Sequence, residues 1–341
     1  MKSFRRSIFF TKAPLGGYYR YQDIFQVFPM DFERTPKNKL QRHFPNILEY
    51  WIDENDKVTK LFGDDDEDYD DNGLMNELAT LTATTITKEE KILSLLTTFT
   101  NNIFFTYKGI DGSWGMPTDN TIPREDLNSA SSKWSMGIFF YPGMPDDLKI
   151  SGFTEITINP IQTVDYPDYY LDQPHLDSDW YTDIQFPSIL DYLLDSYFNL
   201  EGNAANSVNA AISYTASAVE LFNTRKTLSL LSSFTSLETM VNLEYDGVDP
   251  CRCRECGQQR FSISKKFRDY LLKYIGDTQS NKKKFNKYYA LRSKIVHTGK
   301  QLQSELLFAD VEQTIRHEEL ITRTEILQLG KLSIINWLLE N

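Results

Sequence analysis

Cysteine, histidine and long apolar runs are all scarce in this 341-residue sequence. Its three cysteines, Cys251, Cys253 and Cys256, fall within six residues, which argues against a secreted disulfide framework. No apolar run approaches the roughly 18 residues that span a bilayer, so no membrane partner is expected. At the start, Lys2, Arg5 and Arg6 precede Ile8, Phe9 and Phe10, but the apolar stretch stops at Thr11 and Lys12, too short for a signal peptide. The cytoplasm is the expected compartment. With four histidines and no His-Glu-x-x-His set, a catalytic zinc is not expected either.

Apolar residues make up 40% of the chain and aromatics 13%, enough to build packed cores in two or three domains. The net charge of -12 would ordinarily repel a polyanion. That average hides a local reversal. Residues 251–300 hold fourteen Lys and Arg against three acids, a net of +11, so the other 291 residues carry -23. A cationic island inside an acidic protein is either a solvated helix face or a nucleic-acid surface.

Two textures divide the chain. Residues 1–183 read as a mixed α+β domain. Thr87 and Glu90 form a Ser/Thr-x-x-Glu capping box ahead of Ile92, Leu95, Phe99 and Ile103 at helical spacing. Residues 133–141 and 153–161 are rich in β-branched and aromatic types and predict strands. Residues 64–71 are a dense acidic loop that self-repulsion keeps solvated. Asp68, Asp70, Asn72 and Gly73 imitate the start of a calcium loop, but the closing twelfth position is Ala79, so calcium is not expected.

Residues 184–341 predict an all-α bundle of five or six amphipathic helices. Val208, Ile212, Val219 and Phe222 form one apolar stripe; Leu228, Leu231, Phe234, Leu237 and Val241 form another. A helix through Phe267 and Leu271 stops at Gly276, the next runs from Phe285 to Ile295 with Gly299 past its end, and residues 302–339 supply one or two more.

That penultimate helix carries Arg292-Ser-Lys-Ile-Val-His297, an Arg-x4-His motif that occurs once, inside the most cationic segment. The block from Tyr288 to Lys300 resembles the signature of HEPN domains, in particular the Apea-like branch. The helix around Leu237 and Glu238 and the cationic helix before the motif follow that family's order. The resemblance covers about residues 186–341 and does not reach the first half.

Such a resemblance implies metal-independent RNA cleavage by a homodimer that brings two motifs together. It also implies a toxin or antiphage-defence effector, with the N-terminal domain restraining it or sensing a phage-derived or cellular trigger. The residue chemistry is consistent. Cutting RNA without a metal needs a base for the 2′-hydroxyl proton, an acid for the leaving oxygen and a fixed cation for the phosphate. His297 suits either proton role. Arg292 suits the third, because its planar fork can grip two phosphate oxygens. Ser293 is a candidate to orient the phosphate or the histidine, and Lys282, Lys283, Lys284, Lys294 and Lys300 are candidate RNA contacts. Five residues turn an ideal helix through about 140° from Arg292 to His297, so they do not share a face. Either His297 sits where the helix ends, or the site combines two chains. The alternative is a non-catalytic module that holds RNA or a nucleotide as a sensor or adaptor.

Cys251, Cys253 and Cys256 followed by Gly257 also suit a structural zinc site. Zinc needs a fourth ligand, and His317 leads a set that includes Asp249, Glu255 and water. Free thiols are the other reading; no cofactor is expected for catalysis.

Overall fold

The computed structural model describes residues 2–30, 44–53, 72–106, 150–172, 182–248, 263–306 and 310–341. These separate into two compact units. The first draws on Met1–Leu93, Phe104–Val164 and Asp177–Phe186, and the second on Ser94–Ile103, Asp165–Leu176 and Pro187–Asn341.

The first unit is built on an antiparallel sheet. Its strands are β1 (Ser3–Thr11), β2 (Tyr19–Tyr21), β3 (Phe25–Pro29), β4 (Phe44–Ile52) and β5 (Phe104–Phe105), in the order β2-β3-β4-β1-β5. The residues of the abortive leader-like start are thus a strand: Ile8, Phe9 and Phe10 are buried core, as expected of aromatic and β-branched types on a pleated surface. The register sets Arg6 and Gln26 on either side of Glu49. Glu49 is fully buried, and its carboxylate accepts from Arg6 Nε (2.9 Å) and Nη2 (2.7 Å), Gln26 Nε2 (2.7 Å), and the Thr154 amide (2.8 Å) and hydroxyl (2.6 Å).

Thr154 belongs to residues 153–161, which their β-branched and aromatic content predicted as a strand. They form no regular strand. Their polar groups are taken by Glu49 and by Tyr18, whose amide donates to Asn159 O (3.0 Å) and whose carbonyl accepts from the Ile161 amide (2.8 Å). A Cβ on Gly17 would lie 2.5 Å from the Asn159 carbonyl oxygen, so only glycine admits this approach. Residues 133–141 and the acidic loop 64–71 lie outside the described residues.

Helix α1 (Asn72–Phe99) begins well before the expected capping box. Thr87 and Glu90 sit in its interior, because a box can cap only where the preceding chain leaves the helix; here helical backbone already runs up to Thr87. Ile92, Leu95 and Phe99 are buried as their spacing predicted.

The second unit is helical, in keeping with its periodicity. After a short α2 (Asp168–Asp172) come α3 (Leu190–Phe198), α4 (Gly202–Glu220), α5 (Lys226–Glu244), α6 (Ile263–Ile275), α7 (Gln279–Thr298) and α8 (Gln313–Glu340). The tail predicted as one or two helices is one 3-10 turn, Gln303–Glu305, and the long α8. Helix α8 packs against α3, α4, α5 and α6, and α7 packs on α6.

Helix α5 buries Phe234, Leu237 and Val241 of its predicted stripe but not Leu228. Leu228 is 52% exposed, while Ser229, Ser233 and Ser236 are buried. These hydroxyls bond to Ala218 O, Ser229 O and Ala211 O, so small polar residues satisfy themselves beside the buried apolar ones. Gly330 of α8 lies against Leu237 and Ser233, which lets the two helices approach closely.

Candidate functional site

The basic helix α7 ends at the predicted Gly299 but starts six residues before Phe285, where the spacing placed its beginning. Thr278 caps its start, its hydroxyl accepting from the Asn281 amide at 3.1 Å. Gly299 ends it in the left-handed conformation, φ 64°, donating its amide to Ile295 O at 2.9 Å. Phe285, Tyr288 and Ile295 are buried and fix which way the helix faces. His297 therefore lies in the last turn, one residue from the helix end, and is exposed.

Arg292 turns the other way, toward α5. Its Nη2 donates to Glu238 Oε2 at 2.7 Å, with the two side chains only 23% and 21% exposed. The second carboxylate oxygen, Oε1, is buried and has no hydrogen-bond partner. The pair is thus held but not saturated. A single contact from one guanidinium nitrogen holds the fork at its Nη2 corner, and a phosphate is a natural competitor for its remaining N–H groups. Glu238 was not among the residues that the motif singled out. Its signal in the sequence is slight: one of two acids in α5, next to the buried Leu237.

Ser293 is half-buried and Lys294 exposed. Lys300 is exposed just beyond the cap, its amide donating to Thr298 Oγ1 at 3.3 Å. The lysine triplet is split by the structure. Lys282 pairs with Asp277 at 2.8 Å and Lys284 with Glu325 at 3.1 Å, whereas Lys283 points to solvent. Glu325 also accepts from the Tyr288 hydroxyl, tying α7 to α8.

Cys251, Cys253 and Cys256 lie outside the described residues. His317 is exposed near the start of α8. Among the described residues, no group of three or more His, Cys, Asp or Glu is placed to hold a metal ion, and no helix is long and apolar enough to cross a membrane.

The second unit also buries an amine. Lys331 of α8 is fully enclosed, donates to the Thr100 carbonyl, and is pushed down to about 7 by its burial.

Arg292 and His297 thus occupy different sides of one helix: the arginine half-buried against an acid on α5, the histidine free in solvent. Comparison with known protein families, with curated proteins and with solved structures finds no match to this chain.

Proposed function

We propose that the helical unit is a HEPN-type, metal-independent endoribonuclease that works as a homodimer, a toxin or antiphage-defence effector triggered through the first unit. One observation carries the reading. A half-buried, acid-anchored arginine and an exposed histidine occupy the last two turns of a helix that contains six cations and no acid. His297 exchanges protons with the 2′-hydroxyl and the leaving oxygen, and Arg292 stabilises the crowded phosphate. Because the two face apart on one chain, the complete site draws on both subunits.

The test is incubation of purified protein with total RNA in EDTA, followed by mapping of the ends. Wild type yields 2′,3′-cyclic phosphate fragments, and Arg292→Ala or His297→Ala lowers the rate by at least about 100-fold with the fold intact. An unchanged rate in either variant overturns the reading. Mixing the two single variants restores part of the activity, since a mixed dimer rebuilds one composite site. If each chain carries its own complete site, mixing restores nothing.

The Arg292–Glu238 pair favours a second reading, a non-catalytic RNA- or nucleotide-binding module, because the arginine charge already has a partner. Steep salt-dependent RNA binding with no cleavage between pH 5 and 8 would establish it.

A further inference from the structure

Helix α7 sorts its six cations by face. Three are paired with acids: Lys282 with Asp277, Lys284 with Glu325 and Arg292 with Glu238. The other three, Lys283, Lys287 and Lys294, are exposed and have no acidic partner among the described residues. At about 100° per residue, Lys287 and Lys294 lie within about 40° of Lys283 around the helix, and His297 lies about 40° to its other side. Arg292 is about 180° away. The unpaired cations therefore form a single outward stripe, about 21 Å long from Lys283 to His297. Ala290, exposed at its centre, leaves room for a close approach.

A solvated face does not account for this arrangement well. Lys283 and Lys287 are like charges four residues apart, a spacing that costs helix stability, and α7 has no acid to offset it. Amphipathic insertion into an anionic membrane does not fit either, since the apolar residues Phe285, Tyr288 and Ile295 are buried in the bundle rather than displayed beside the lysines. A linear row of unpaired ammonium groups leading to an exposed imidazole matches a flexible, linear polyanion.

We propose that the stripe Lys283–Lys287–Lys294 is a track that binds the phosphate backbone of single-stranded RNA and delivers it to His297. This rests on the reading of α7 as an RNA-cutting element, and it deepens that reading in two ways. It adds Lys287 to the RNA contacts, and it removes Lys282 and Lys284, which are occupied in ion pairs.

The test measures anisotropy of a labelled twelve-nucleotide oligouridine against full-length His297→Ala protein, which cannot cut it, over a range of salt. Adding Lys283→Gln, Lys287→Gln and Lys294→Gln removes three phosphate contacts. The log-log salt slope should then fall by about 2, and affinity near 0.1 M salt by on the order of 100-fold. The control, Lys282→Gln with Lys284→Gln, should retain most of the slope. All five positions lie on the outer turns of α7, and loss of like-charge repulsion should leave the triple variant melting no lower than its parent. An unchanged slope in the triple variant overturns the track, and so does an equal loss in the control. Displacement by polyglutamate as efficient as by unlabelled oligouridine also overturns it, assigning the stripe to an acidic polypeptide.

Cleavage is read separately on the otherwise wild-type protein. If that protein cuts RNA while the triple variant binds like its parent, only the track fails. If it cuts nothing while the triple variant loses binding, the track stands and the nuclease reading falls.

Discussion

Each unit of the protein contains an arginine–glutamate pair, and the two pairs are finished differently. In the sheet, Glu49 is fully buried and both of its oxygens are used, by Arg6, Gln26 and Thr154. In the bundle, Glu238 spends one oxygen on Arg292 and leaves the other without a partner. The first arrangement is a strut: it joins three strands and the 153–161 segment, and both carboxylate oxygens are occupied. The second holds an arginine in place with donors to spare. The same chemistry gives rigidity when saturated and a poised cation when it is not.

The sharpest way to break this comparison is to remove each glutamate. Glu49→Ala strands the Arg6 guanidinium against the sheet and should lower unfolding free energy by about 3–5 kcal/mol, read by urea denaturation. A loss under about 1 kcal/mol would deny Glu49 its structural role.

Lys331 tests the helical unit from inside its core. Its folded value near 7 lies below the ordinary 10.5, so between those two pH values the unfolded chain binds the extra proton. Stability should therefore rise with pH from about 7 upward, by at most about 1.4 kcal/mol per unit, with the full cost of burying the charge present below 7. Lys331→Met should flatten that slope in thermal melts at pH 7 to 9. A slope that survives the substitution belongs to another group.

The smallest stability change is expected at the unsaturated pair. Glu238→Ala should cost about 1 kcal/mol or less, yet lower the proposed RNA cleavage about tenfold or more by releasing Arg292 from its position. If instead it unfolds the protein as severely as Glu49→Ala, the two pairs are equivalent and the contrast between them disappears.

Local signals were readable where the physics is local. Gly276 and Gly299 placed the ends of α6 and α7, and the 3.6-residue spacing of Phe267, Leu271, Phe285, Tyr288 and Ile295 picked out their buried faces. Signals that depend on what lies opposite were not. Leu228 looked like core because it is apolar, but α5 presents Ser229, Ser233 and Ser236 to the interior, where serine hydroxyls can bond to helix carbonyls. The Thr87–Glu90 box looked like a helix start because a four-residue pattern carries no information about the helical chain before it. Residues 153–161 have the composition of a strand, yet their partners are the side chains of Arg6, Gln26 and Glu49 and one tyrosine backbone rather than a strand.

For the candidate site, sequence by itself determined that α7 is a helix, that it is cationic throughout, and that Arg292 and His297 fall on different faces of it. These follow from side-chain charge and the helical repeat alone. Only the tertiary structure decided which cations are neutralised, because Asp277, Glu238 and Glu325 approach α7 from the chain before it and from two other helices. Composition sets how much charge a helix carries; packing sets which of it remains for a ligand.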